Sequence, residues 1–197
     1  MAARIDLARE AFEHVYSNDL WRLQPDPAPT RRFADLIRRV MDQHNVRSVT
    51  EFGCGFWTYA KQIDWTGKQY DGYDVVPGIV QWNNKSHAAP NVRFHVMADD
   101  VVPVSADLLV TKDVLQHLPT ADVLHYLAMF KKSYRLLLIA NDINSADGTN
   151  TDITYGAHRG LRLDLPPFNE DAEILDEWVV KICPDYVKRA CLLRGRA

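Results

Sequence analysis

Residues 49–58 read VTEFGCGFWT, a strand-like run that ends in a glycine turn. Glycines stand at 53 and 55, but Thr58 holds the place of the third glycine of G-x-G-x-x-G. That third glycine lets helix and strand close around a pyrophosphate. Its absence, with bulky Trp57 beside it, argues against a dinucleotide ligand.

Outward from this turn, short apolar runs alternate with helical ones. SVTEF, QYDGYD, VRFHVM, ADLLVT and YRLLLIA read as strands, and YAKQIDW, GIVQWNNKSH and TADVLHYLAMFKKS as helices between them. Such alternation predicts a parallel sheet with helices on both faces. EILDEWVV and DYVKRACLL, joined by a short turn around Pro184, read as an antiparallel hairpin closing the sheet edge. Two helical patterns precede the sheet. Ile5, Ala8, Phe12 and Val15 share one face of the first, and Phe33, Leu36, Ile37, Val40 and Met41 share one face of the second, with Thr30 as its N-cap. LQPDPAPT between them reads as a stiff extended connector. Arg31, Arg32, Arg38 and Arg39 read as the solvated side of an amphipathic helix. Residues 141–171 fit neither periodicity, and a loop of that length with aromatic, arginine and proline content reads as an ordered, substrate-facing segment.

At 197 residues, 47% hydrophobic and 25% charged, the chain reads as a single soluble domain without internal repeats. The expected division is a helical cover over 1–46 and a Rossmann-like core over 47–197. A net charge of −3 argues against a nucleic-acid partner. The opening MAARIDLAREAFEH lacks the unbroken apolar core of a signal peptide, and no run reaches membrane-spanning length, so a cytoplasmic protein without a membrane partner is expected. Cys54, Cys183 and Cys191 form no C-x-x-C pair, which argues against a disulfide framework or zinc knuckle. Cys54 reads as a small filler in the turn.

The acids around the turn indicate its ligand. Glu51 would repel a pyrophosphate and welcome an α-ammonium group. Asp74, nineteen residues past Gly55, ends the second strand run, where a carboxylate accepts hydrogen bonds from both hydroxyls of a ribose. An amino-acid head joined to a ribose describes S-adenosylmethionine. With EFGCG at 51–55, YDGYD ending at Asp74, the pair Asp99 and Asp100 after the third strand, and KDVLQHL at 112–118 after the fourth, the chain resembles the class I S-adenosylmethionine-dependent methyltransferases from about residue 47 onward. The resemblance implies a Rossmann-like, doubly wound, mostly parallel seven-stranded sheet with a C-terminal antiparallel hairpin. It also implies that Glu51, Gly53 and Gly55 line the methionine moiety, that Asp74, with Val75 beside it, serves the ribose, and that Asp99 or Asp100 addresses the adenine amino group. Lys112 and Asp113 would open the loop facing the methyl. Trp57 stands where the family has a small residue and would reshape the methionine side of the pocket. More narrowly, KDVLQHL together with NTDITYGAHRGLRLDLPPF at 150–168 is similar to small bacterial and phage-type methyltransferase-domain proteins, whose second segment is one residue shorter in its tightest form.

Methyl transfer from a sulfonium is an in-line displacement, and a hydroxyl or ammonium acceptor must also lose a proton. His117, one helical turn past the fourth strand, is the first candidate base; the structural alternative is that it hydrogen-bonds the loop. His158 is the second. Arg159 and Arg162 would clamp an anionic group of the acceptor, or else pair with Asp164. Tyr16 and Trp21 would fold over the cofactor as a lid near its sulfonium, or else belong to the core. Asp113, Asn141 and Asp142 offer oxygens of the kind magnesium takes, but in an order reversed from the magnesium-dependent catechol-type enzymes, so no metal is expected. The expected activity is methyl transfer to oxygen or nitrogen of a small polar metabolite; a non-catalytic module that binds the cofactor is the alternative. The order of motifs argues against a nicotinamide enzyme, and TKDVLQHLP, which has no Asn/Asp-Pro-Pro-Tyr pattern, against a nucleic-acid methyltransferase.

Overall fold

LLLIAND at Leu136–Asp142 is buried at every one of its residues, as only a strand covered on both faces can be. The computed structural model of the chain describes residues 4–18, 27–98, 103–146, 148–181 and 185–195. Its strands are β1 (Ser48–Phe52), β2 (Gln69–Asp74), β3 (Val92–Val96), β4 (Leu108–Lys112), β5 (Leu136–Asp142), β6 (Glu173–Val180) and β7 (Tyr186–Arg194). They form one sheet in the order β3-β2-β1-β4-β5-β7-β6. The chain divides into two compact units, Met1–Leu108 and Leu109–Ala197.

In the first unit, β2 pairs in parallel with β1 on one side and β3 on the other. Helix α1 (Arg4–Ser17) buries Ile5, Ala8, Phe12 and Val15, the face read from the sequence. Helix α2 (Pro27–Gln43) buries Phe33, Leu36, Ile37, Val40 and Met41. It starts three residues before Thr30, so the expected N-cap lies inside the helix and half of the expected connector is helical. Proline suits this first turn, because the N–H it lacks has no intrahelical partner there. Helix α3 (Pro77–His87) likewise opens on a proline. YAKQIDW does not form the expected helix. Only Ala60–Gln62 makes a 3-10 turn, and the Trp65 indole closes it by donating to the Ala60 carbonyl at 3.0 Å.

In the second unit, α4 (Thr120–Ser133) carries Asp122 in its first turn and Lys131 and Lys132 in its last, in accord with the helix dipole. β7 runs antiparallel to both β5 and β6, the expected closing hairpin; the turn around Pro184 lies outside the described residues. β5 ends two residues later than expected, so Asn141 and Asp142 belong to the strand rather than to the loop. Among the described residues, no helix is long and apolar enough to cross a membrane.

Candidate active site

The glycine turn is held open by the strand beside it. Gly53 and Gly55 have φ of 75° and 48°, the left-handed region that favours glycine. The amides of Gly53 and Cys54 both donate to the Tyr73 carbonyl, at 2.8 and 3.0 Å. Asp74, at the carboxyl end of β2, then accepts from the Gly55 amide on one carboxylate oxygen (2.9 Å) and from the Val76 amide on the other (3.0 Å). Burial pushes the Asp74 carboxyl upward against these two amides. From below, the Asn83 amide donates to the Gly55 carbonyl at 2.7 Å. From above comes Tyr16 of α1: a Cβ on Gly55 would meet its hydroxyl at 3.4 Å. Burial and then the Asp74 charge raise the Tyr16 phenol, so it is neutral and a donor. Arg9 ties the same helix down, donating to the carbonyls of Val75 and Met97, each at 3.0 Å. Val75 therefore spends its carbonyl on α1.

Two residues expected beside the methionine moiety point elsewhere. Glu51 is 1% exposed, and its two oxygens accept the phenol protons of Tyr59 and Tyr70. It braces the floor of the turn rather than presenting a carboxylate to an ammonium group. Trp57 adopts φ of 57° and turns into an aromatic cluster, its ring 5.6 Å from Tyr70, 5.1 Å from His87 and 5.3 Å from Phe94. It is a core residue, and the left-handed backbone is what lets so large a side chain leave the turn.

The second unit gathers charge at the carboxyl ends of β4 and β5. Asp113 follows β4 in the left-handed region, φ 59°, a conformation that costs energy in a non-glycine residue and that gathers at functional sites. The Lys188 ammonium donates to Asp113 at 2.6 Å and to Asp142 at 2.7 Å, and Lys112 caps the other oxygen of Asp113. Burial alone would raise both carboxyls, but Lys112 and Lys188 hold Asp113 far below its usual range, and a hydrogen bond from His158 together with Lys188 lowers Asp142. A lysine thus stands between the two carboxylates considered as oxygen donors. Among the described residues no cluster of three or more histidine, cysteine or acidic side chains is arranged to hold a metal.

His117 and His158 lie in the same cluster, with ring centroids 5.6 Å apart, but in different surroundings. His117 is 5% exposed. Its Nδ1 donates to the Ala157 carbonyl at 2.8 Å, and its Nε2 accepts a hydrogen bond from the Gln116 amide at 3.3 Å. Burial pushes it down to about 4, so both ring nitrogens are occupied in a neutral imidazole. This matches the alternative of a loop-binding histidine. His158 is more open, with 25% of its side chain exposed, and sets Nε2 3.2 Å from Asp142 and Nδ1 3.3 Å from Ser145 Oγ.

Arg159 is a correction to the sequence reading. It is 0% exposed and donates to the Leu118 carbonyl (2.8 Å), the Thr120 hydroxyl (2.7 Å) and the Thr151 carbonyl (2.7 Å). A guanidinium sealed in this way staples the long loop to the start of α4 and has no face left for an acceptor. Arg162 pairs with Asp164 at 2.9 and 2.5 Å, the alternative reading for it. Trp21, Asp99 and Asp100 lie outside the described residues. Sequence reasoning missed Lys188, Gln116, Asn83, Tyr59 and Tyr70. The one signal available was polarity where the pattern wanted an apolar residue, as at Asn83 on the Ile79–Val80 face of α3.

No protein-family model matches the chain, and no curated protein matches it in sequence. Its likeness is to solved structures. The N-methyltransferase NodS from Bradyrhizobium japonicum WM9, in complex with S-adenosyl-L-homocysteine, superposes with a TM-score of 0.68 at 15% identity, covering 95% of this chain and 99% of that one. The magnesium protoporphyrin IX methyltransferase of Synechocystis PCC 6803, also with bound S-adenosylhomocysteine, gives 0.67 at 14% identity over 97% and 99%. Human N-acetylserotonin methyltransferase with bound S-adenosylmethionine gives 0.58 at 15% identity, over 96% of this chain and 60% of that one. At these identities the likeness shows the fold, the Rossmann-like fold of class I S-adenosylmethionine-dependent methyltransferases.

Proposed function

We propose that this chain is a cytoplasmic enzyme that transfers the methyl group of S-adenosylmethionine to an oxygen or nitrogen of a small polar metabolite, acting as one catalytic domain over residues 1–197. The observation that carries the reading is the cross-tie of Asp74 to Gly55 beneath Tyr16, in a fold whose solved relatives hold S-adenosylmethionine or its product. A carboxylate has about four lone-pair directions, and the Gly55 and Val76 amides use two of Asp74's, which leaves acceptor capacity for ribose hydroxyls. At Gly55, with no Cβ and a phenol close above, only a slender group passes. These residues fit the group.

The bound sulfonium would supply an electrophilic methyl carbon. Gly53, Gly55 and Asp74 would hold it from the turn, and α1, with Tyr16 at its tip, would exclude water. Asp99 or Asp100 is the proposed partner of the adenine, and Trp21 joins Tyr16 in the proposed lid. Most of the rate would come from alignment. Lys112, Asp113, Asp142 and Lys188 form a nearly charge-balanced group at the strand ends, suited to orienting a polar acceptor. The net charge of −3 supports a small-molecule acceptor over a nucleic acid.

The test is transfer of a labelled methyl from S-adenosylmethionine into a pooled extract of small metabolites, with the labelled product identified by mass. A labelled small molecule formed only with the protein is expected. Cofactor binding without label in any small molecule would favour the non-catalytic module. Label in protein or RNA would replace the acceptor class.

A further inference from the structure

The second unit carries a cleft of about 630 Å³ between α4 and the start of β6. Small-molecule sites span about 300–1,000 Å³. The cleft opens at the amino end of β5, where Leu136 pairs with Arg194, whereas Asp142 at the other end pairs with Lys188. At about 3.3 Å per residue along the strand, it stands roughly 20 Å from the Lys188 cluster. Opposite charges are sorted onto its opposite walls. Lys131 and Lys132 come from the last turn of α4, and Arg194 ends β7. Glu170 and Asp171 precede β6, and Glu173 is its first residue. The walls meet at one place, where the Lys131 ammonium donates to both oxygens of Glu170 at 2.8 Å. Elsewhere they stay apart: among the described residues, the side chains of Lys132, Arg194, Asp171 and Glu173 form no ion pair or hydrogen bond. Glu173 faces Leu192, so Arg194 is its diagonal neighbour across the strand pair, about 7–8 Å away. Leu192 and Leu193, 3% and 1% exposed, supply a buried apolar lining.

We infer that this cleft is a second ligand site and that its ligand is a zwitterion of short-peptide size. Its carboxylate end meets Lys132 and Arg194, its ammonium end meets Asp171 and Glu173, and its apolar body lies over Leu192 and Leu193. Charge sorting carries the choice. A simple anion gains from one wall and is repelled by the other, and a simple cation fares the same with the signs exchanged. A molecule with both charges set apart satisfies both walls together. In a free amino acid the two charged groups share one carbon and cannot span walls whose own side chains do not meet. Three residues, about 10 Å at full extension, can. This inference stands apart from the methyl-transfer reading, because every residue it uses lies at the amino end of β5 or beside it.

The test is an NMR titration of the isotope-labelled full chain with the tripeptide Ala-Leu-Ala in its free, N-acetylated and C-amidated forms. The free tripeptide should shift the amide signals of Lys132, Ala172 and Arg194 saturably, with a Kd of about 1 mM or tighter. Acetylation and amidation should each weaken binding by about threefold or more, the scale of one exposed ion pair. At about 1 M salt, where charges are screened within about 3 Å, these differences should vanish. Arg194→Gln should remove the penalty for amidation alone, and Glu173→Gln the penalty for acetylation alone. Both side chains are exposed, so the variants keep the fold, which an unchanged spectrum away from the cleft checks. No saturable shift up to about 10 mM tripeptide, a singly blocked form that binds as well as the free one, or shifts centred away from the cleft overturns the proposal. The peptide comparison needs no variant, and none of its outcomes touches the methyl-transfer reading.

Discussion

Asp74, at the carboxyl end of β2, and His117, in the turn after β4, are both buried, and the partners of each decide what it does. Asp74 keeps acceptor capacity after binding two amides, so Asp74→Ala should weaken S-adenosylmethionine binding by about 1.5–3 kcal/mol, the range for hydrogen bonds to a charged group. Calorimetry on the folded variant checks it, and an unchanged affinity would remove the ribose assignment. His117 has no capacity left. Its folded pKa lies below its ordinary value of 6.5, at about 4, so the unfolded chain binds the extra proton first as pH falls. Its contribution is therefore intact above about 6.5 and is lost progressively between about 6.5 and about 4, on the order of a few kcal/mol in all. Urea midpoints across that window should fall more steeply in the wild type than in His117→Gln. Parallel curves would contradict the buried neutral state. The difference between these two residues was only half legible in the sequence. Position at or just after a strand marks both, but the Gln116 amide on one and the spare lone pairs of the other appear only in the folded chain.

At the scale of elements, the long segment after β5 is a structured piece rather than a flap. The Gly156 amide donates to the His117 carbonyl at 3.0 Å, Asp152 accepts the Thr120 amide at 2.8 Å, and Arg159 adds its three donors. Arg159→Ala should accordingly lower stability by about 1.5–3 kcal/mol or more, rather than act mainly on the acceptor's KM. Thermal unfolding measures this, and a variant as stable as the wild type with only a raised KM would restore the clamp. β7 contributes a second element-scale device. Lys188 on this strand neutralises Asp113 and Asp142 together, so Lys188→Met leaves buried carboxylates short of a cation and should cost about 3–5 kcal/mol. Denaturant unfolding should show it, and a loss under about 1 kcal/mol would mean that Lys112 alone suffices. In the sequence, Lys188 sits in DYVKRACLL as an ordinary charged residue of an alternating strand. Its target lies 46 residues away at Asp142, and only strand pairing brings the two together.

For the whole molecule, hydrophobic periodicity was a sound guide to order and type of element. β1, β2, α4 and β6 have the bounds that the apolar runs mark, because alternation and strict helical spacing are set by local geometry. The misreadings fell where local rules compete. Pro27 and Pro29 suit an extended connector and a helix's first turn alike, and they lie in the first turn of α2. YAKQIDW has helical spacing but is drawn into a short turn by Trp65. Glu51 carries the acidic character of a ligand site, yet Tyr59 and Tyr70, eight and nineteen residues on, claim it. The glycine turn and Asp74 were legible because backbone conformation and strand-end position constrain them; the floor beneath them was not, because it is made by phenols from other elements. The proposed ligand, a nucleoside with a sulfur-bearing amino-acid tail, would account for the turn and the Asp74 cross-tie together. The direct measurement is a calorimetric titration of the full chain with S-adenosylhomocysteine, paired with thermal unfolding at saturating ligand. One molecule bound per chain and a midpoint that rises with ligand concentration are expected. No heat of binding and no change in the midpoint at ligand concentrations up to about 1 mM, where even an affinity of about −4 kcal/mol would register, would contradict it.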